Sequence, residues 1–169
     1  MLNTDQISFR QATADDLAQI VSFTNSIHLQ EDDQSIPTNK HFLFNLEKWL
    51  KEELNNSLSL FLIADFENNF GQTNSIGFIG ATTVINDNGF LENPTKGVIN
   101  LLWIEKEHRK KNIAKQLVSM IEDCFKENAI NVIECSFTDT NELAKKFWSN
   151  MHYKIFSVTA RKIISDTTK

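Results

Sequence analysis

Residues 103–115 read Trp-Ile-Glu-Lys-Glu-His-Arg-Lys-Lys-Asn-Ile-Ala-Lys, which places three consecutive cations, Arg109, Lys110 and Lys111, ahead of a fourth, Lys115. The apolar stripe that follows, Ala114, Leu117, Val118, Ile121 and Phe125, has the i, i+3, i+4 spacing of an amphipathic helix, so the cations fall in its predicted first turn. A helix dipole disfavours cations there by about 0.3 to 1 kcal/mol per group. An anion bound to the free amides of the first turn would resolve the conflict, which makes this junction a phosphate or pyrophosphate site. The same run also reads as a solvated surface segment that tolerates a small dipole penalty.

Alternating structure around this junction must position it. Ile7, Phe9 and Gln11 open a strand, and Thr13-Ala14-Asp15-Asp16 supplies a cap and an acidic first turn for a helix carrying Leu17, Ile20, Val21 and Thr24. Residues 38–54 place Phe42, Leu46, Trp49 and Leu50 near helical spacing, and residues 58–66 form an apolar run of strand length. Residues 68–75 read as a hairpin into a strand over 76–85, and a second hairpin through Asp87, Asn88, Gly89 and Pro94 leads to a strand over 97–105. After the helix of the cationic junction, residues 130–137 read as a strand. Asp139-Thr140-Asn141-Glu142 opens a helix with Leu143, Ala144, Phe147, Trp148 and Met151 on one face, and a last strand is expected from 153 to 164. The order β-α-α-β-β-β-α-β-α-β specifies an α+β (mixed α/β) fold, antiparallel in its first half with a parallel crossover in its second.

With 169 residues, and no repeat or linker, the chain is expected to be one domain spanning residues 1–169. The counts of 17 Lys plus Arg and 22 Asp plus Glu give −5, which argues against a nucleic-acid-coating surface. Residues 1–6 lack a signal-peptide pattern and no apolar run is long enough to span a membrane, so a cytoplasmic location is expected. Cys124 and Cys135 read as buried reduced thiols. His28, His41, His108 and His152 are scattered without ligand spacing, so no metal is implied.

The strand before the junction, the stretch Arg109-Lys110-Lys111-Asn112-Ile113-Ala114, and Asn141-Glu142-Leu143-Ala144-Lys145-Lys146-Phe147-Trp148 followed by His152-Tyr153 resemble the GCN5-related N-acetyltransferases. In that family a strand precedes an R/Q-x-x-G-x-G/A loop, and an N-x-x-A-x-x-F-Y helix ends in G-F. The opening Arg10 to Leu17 is similar to the family's first strand and helix.

The resemblance implies acetyl-CoA bound in a splay between the fourth and fifth strands, with its pantetheine arm on main-chain groups near Leu102, Trp103 and Ile104. It implies pyrophosphate contact with Arg109, Lys110, Lys111, Asn112, Ile113, Ala114 and Lys115, pantetheine contact with Asn141, and a thioester walled by Phe147 and Trp148. Asn141 also reads as a plain cap, and Phe147 as core. The implied reaction is direct attack of a primary amine, on a small molecule or peptide, at the acyl thioester. A homodimer is compatible with the sequence.

The departures fall on the chemistry. Glycine positions of the loop are Asn112 and Ala114, and the glycine before the last strand is His152; Asn and His both tolerate positive φ. Trp148 stands where the family often places a Tyr acid, and Asn100 where many members carry a Glu base. An indole N–H donates a hydrogen bond but delivers no proton. Glu105, Glu107 and His108 lie nearby in sequence, although each also reads as a solvated strand-exit residue, and the catalytic residues stay unassigned. The acidic triplet Glu31-Asp32-Asp33 would suit a cationic acceptor, or is an ordinary acidic loop. A weakly catalytic CoA-binding sensor or partner-binding module is the alternative function.

Overall fold

The computed structural model describes residues 6–31, 35–86, 89–90 and 92–164. Strand β1 (Ile7–Gln11) is followed by helices α1 (Leu17–Glu31) and α2 (Phe42–Leu54), then strands β2 (Ser59–Glu67), β3 (Thr73–Ile85) and β4 (Thr95–Ile104). Helix α3 (Ile113–Glu127), strand β5 (Ile133–Cys135) and helix α4 (Glu142–Asn150) complete the order. The five strands form one sheet in the order β1-β2-β3-β4-β5, antiparallel except for the parallel β4–β5 pair. This is the mixed α+β arrangement that the hydrophobic periods specify.

Each face of the sheet buries its own core. Ile20 and Phe23 of α1 and Leu50 of α2 cover Ile63 and Phe78, with the Phe23 and Phe78 rings stacked at 5.6 Å. On the other face α3 buries Leu117, Val118 and Ile121 completely, the residues its stripe singles out. Burying each such side chain stabilises the fold by roughly 1.5 to 3 kcal/mol. The predicted first turn is a 3-10 turn, Ala14–Asp16, that leads directly into α1 and opens at Thr13, whose backbone N–H donates to Asp16 Oδ2 at 2.8 Å. Arg10 bridges Asp16 and Asp65, each at 2.7 Å, which ties β1 and β2 to that helix start. Its hydrogen bonds hold the Asp16 carboxyl down at about 2.

The hairpin expected before β3 closes on Asn68, whose Oδ1 accepts from the N–H groups of Phe70 and Gln72. The second closes with Asn86 N–H donating to Pro94 O at 3.0 Å; its Asp87 and Asn88 lie outside the described residues, as do Asp32 and Asp33 of the acidic triplet.

Two expected strands differ. Residues 130–137 contribute only Ile133–Cys135, because β4 offers only Gly97, Val98 and Ile99 for pairing. Residues 153–164 form no strand. Their β-branched and aromatic composition fits a strand, but β5, the end strand, presents an edge of only three residues and no ladder forms along it. The turn after α4 is instead fixed by Tyr153 N–H donating to Trp148 O at 3.0 Å and Tyr153 Oη donating to Glu122 Oε1 at 3.0 Å, and Ile155, Phe156 and Val158 stay exposed.

Candidate active site

Pairing between β4 and β5 stops at Ile99 and Cys135, where β4 bulges. Ile99 lies opposite Ala81 and Leu101 opposite the adjacent Gly80, so Asn100 is the extra residue. A bulge shifts the alternation of main-chain groups by one residue. Gly97 N–H donates toward the β5 side, to Val132 O at 2.9 Å, whereas Glu105 N–H donates toward β3, to Ile76 O at 2.8 Å. Counting back from Glu105, the main-chain groups of Leu102 and Ile104 face the gap beyond β5 and those of Trp103 face β3. The bulge thus converts the end of β4 into a splayed edge able to receive an extended ligand as a strand would.

At the exit of β4 a 3-10 turn, Lys106–His108, leads into the cationic loop. Arg109, Lys110 and Lys111 lie before α3, not in its first turn as the apolar stripe suggests, because α3 begins at Ile113; only Lys115 of the four is helical. Arg109 is a strap. Its Nε donates to Ile104 O at 2.8 Å and its guanidinium carbon lies 4.7 Å from the Trp103 ring centroid. Lys111 Nζ donates to Glu107 O at 2.7 Å. Lys110 and Lys115 are exposed, leaving them as the cations directed to solvent.

Asn112 has φ 62° and Lys110 φ 63°. The loop therefore demands left-handed geometry at two positions without glycine, and Asn112 meets it as the sequence anticipates. Replacing Asn112 by Val, whose branched Cβ resists this geometry, is expected to cost about 1 to 2 kcal/mol, while Asn112→Gly stays within about 0.5 kcal/mol. Chemical denaturation of both variants measures this.

Across the gap, Asn141 starts α4. Its Oδ1 accepts from Ala144 N–H at 3.0 Å, the cap that sequence spacing allows, and its Nδ2 donates to Glu31 Oε1. Glu31 Oε2 also accepts from Thr138 N–H at 2.8 Å and from Thr138 Oγ1. One carboxylate thus joins the end of α1 to the β5–α4 loop. One N–H and one lone pair of the Asn141 amide remain for a ligand. Phe147 is half-buried, whereas Trp148 is 6% exposed and packs edge-on between Phe147 and Tyr153, at 5.0 and 4.9 Å. His152 takes φ 65°, preserving the turn expected of the residue it replaces.

The remaining titratable candidates separate cleanly. His108 sits against the Phe66 ring at 5.2 Å, and burial, reinforced by Lys111, pushes its pKa below the usual histidine value. Cys135, the last paired residue of β5, has its thiol pushed up to about 11 by burial. It is a protonated thiol at neutral pH and a poor nucleophile. Asn100 is exposed and donates from Nδ2 to Thr82 Oγ1 at 3.1 Å; Thr82 Oγ1 lies 3.1 Å from Ser59 Oγ, and Ser59 donates to Glu53 Oε2 at 2.5 Å. Thr82, Ser59 and Glu53 carry no local motif, and Glu31 is visible in the sequence only as part of an acidic run. Among the described residues no cluster could hold a metal ion, and no helix is long and apolar enough to cross a membrane.

A family model described as the acetyltransferase (GNAT) family matches residues 24–153. No curated protein matches the chain. Among solved structures, a tetramutant of the BH1408 protein from Bacillus halodurans is 17% identical with a TM-score of 0.77, covering 93% of this chain and 99% of that one. A predicted acetyltransferase with acetyl-CoA from Clostridium acetobutylicum is 20% identical with a TM-score of 0.68, covering 95% and 96%. An aminoglycoside antibiotic 6'-N-acetyltransferase from Acinetobacter baumannii is 13% identical with a TM-score of 0.67, covering 94% and 99%. At these identities the likeness is one of fold.

Proposed function

The chain belongs to the acetyltransferase (GNAT) family, and from that premise we propose that it transfers an acetyl group from acetyl-CoA to a primary amine of a small molecule or peptide by direct attack. The carrying observation is the β4 bulge at Asn100, beyond which the Leu102 edge separates from β5 and leads to the cationic loop. Acetyl-CoA, when bound, supplies the acyl thioester. The residues present fit it: Leu102 offers main-chain groups for pantetheine amides, and Asn141 has a spare donor and acceptor. The amides of residues 110–115, with Lys110 and Lys115, offer donors and positive charge to the pyrophosphate. Arg109 and Lys111 hold that loop in shape, and Phe147 supplies an apolar wall.

The protonated state of Cys135 supports direct attack over an acyl-cysteine route, because at a pKa of about 11 the thiolate is scarce near neutral pH. A CoA-binding sensor is the second reading, favoured by the burial of Trp148 where the family often places a Tyr acid. A departing thiolate is nevertheless a tolerable leaving group, since a thiol has a pKa near 8.5.

Acetyl-CoA at about 100 times its dissociation constant is expected to stabilise the protein by about 2.7 kcal/mol, a rise in Tm of roughly 5 to 10 °C. Arg109→Glu combined with Lys111→Glu should weaken that shift. No shift at millimolar acetyl-CoA overturns both readings; a shift without thiol release across a broad amine and peptide panel selects the sensor. A cytoplasmic location completes the proposal.

A further inference from the structure

We propose that Thr82, Ser59 and Glu53 form a proton relay that neutralises the acceptor's ammonium group, taking the place of the carboxylate missing at Asn100. The inference rests on the acetyltransferase reading above. Four side chains from three strands and a helix make an uninterrupted chain: Asn100 on the β4 bulge, Thr82 on β3, Ser59 at the start of β2 and Glu53 near the end of α2. The Asn100–Thr82 end is exposed and the Ser59–Glu53 end part-buried, so the chain runs from the mouth of the splay into the protein.

The direction of every hydrogen bond is fixed by elimination. Glu53 Oε2 accepts from the Ser59 hydroxyl, so the single Ser59 proton is committed to that carboxyl. Ser59 then has no proton for Thr82, so in the contact at 3.1 Å the Thr82 hydroxyl donates to Ser59 Oγ. Asn100 Nδ2 can only donate, and it uses one of the two acceptor positions on Thr82 Oγ1. The other is free to receive a proton. All donors therefore point toward Glu53, the polarity a proton hop along hydroxyls requires.

The step balances without any further reactant. One ammonium N–H bond of the acceptor breaks and its proton joins Thr82 Oγ1. The Thr82 hydroxyl proton moves to Ser59 Oγ, and the Ser59 proton moves to Glu53 Oε2. The net change is a neutral amine and a protonated Glu53, and the two hydroxyls are restored. Thr82 is the group that meets the acceptor, while Ser59 and Glu53 act through it as positioning residues. Asn100 cannot relay a proton, and its donor instead orients Thr82.

The electrostatic surroundings leave Glu53 able to serve. Among the described residues it forms no ion pair. Lys51 and Glu52 are its titratable neighbours on α2, and β2 and β3 approach it with the Ser59 and Thr82 hydroxyls. On α1, His28 is stacked on Phe42 at the opposite end of α2, and Glu31 is bonded to Thr138 and Asn141. Asp16 beside the start of α1 is paired with Arg10.

The test is the pH dependence of thiol release from acetyl-CoA with a strongly basic primary amine. Glu53→Gln is expected to lower kcat about 100-fold near neutral pH, the usual reach of a positioned proton acceptor. Its rate should then rise with the free-amine fraction and converge on the wild type as pH passes the amine's own pKa. A weakly basic amine, already neutral in the assay, should lose little. Thr82→Val should reproduce the Glu53→Gln profile, and Thr82→Ser, which keeps the hydroxyl, should restore the wild-type one. The acetyl-CoA thermal shift should be unchanged in all three. An unaltered profile in Glu53→Gln, or a loss equal at every pH, overturns the relay while the wild type's activity upholds the acetyltransferase reading. A wild type that neither binds acetyl-CoA nor releases thiol overturns that reading and the relay with it.

Discussion

Gly77→Val is expected to be the most damaging single substitution in the sheet, costing about 3 kcal/mol or more and lowering Tm by roughly 6 to 12 °C. Gly77 lies on β3 between Ala64 of β2 and Ile104 of β4. A Cβ there would stand 2.6 Å from the Trp103 carbonyl oxygen and 3.2 Å from the Ile104 Cα, with Ile104 Cδ1 at 2.5 Å. A side-chain end can rotate away from such contacts. A carbonyl inside a paired strand cannot, because Phe78 and Trp103 are registered across the same ladder. The strain must be relieved by moving β4 away from β3 at the residues beside the splay. The loss of stability should accordingly be accompanied by a loss of acetyl-CoA-induced stabilisation at temperatures where the variant is still folded. Thermal melts with and without acetyl-CoA read both, and a wild-type melt would contradict the packing argument.

Periodicity reports what one segment buries, and it locates α3 well because Leu117, Val118 and Ile121 meet the same core along one face. It is silent about what two segments do to one another. The bulge is a relation between β3 and β4, and nothing in the local sequence around Asn100 distinguishes an extra residue from an ordinary strand position. With it come the short β5 and the open Leu102 edge, neither of which residue composition announces. Charge behaved similarly. The run from Arg109 to Lys111 is plain in the sequence, yet Arg109 and Lys111 spend hydrogen bonds on Ile104 and Glu107 carbonyls, a division of labour that depends on how the loop turns. The left-handed residues show the reverse case, since the tolerance of Asn112 and His152 for positive φ is a property of residue type and can be read without a fold. Lys110 has no such tolerance, and its φ of 63° is imposed by the loop.

Glu31→Ala is expected to loosen the site across its width. The carboxylate accepts from Thr138 N–H, Thr138 Oγ1 and Asn141 Nδ2, so a single side chain on α1 holds a loop more than a hundred residues away in sequence. Hydrogen bonds to a charged acceptor contribute roughly 1.5 to 3 kcal/mol each when their loss leaves a donor buried. These donors are only part-buried and water can replace some of the loss, so a total of about 2 kcal/mol, or a Tm lower by roughly 4 to 8 °C, is expected. The effect on function should exceed what stability alone explains. With Glu31 gone, Asn141 keeps its Ala144 cap but loses the partner that fixes its Nδ2, and the amide proposed to meet pantetheine becomes free to reorient. Ordering it again on binding should raise the KM for acetyl-CoA about tenfold with a smaller change in kcat, whereas loss of the Glu53 relay lowers kcat and leaves acetyl-CoA binding intact. Glu31→Gln, which keeps one acceptor oxygen, should fall between the wild type and Ala. A Glu31→Ala protein with the wild-type Tm and KM would show that α1 and α4 hold their positions independently, and the role argued for Glu31 in fixing Asn141 would be lost.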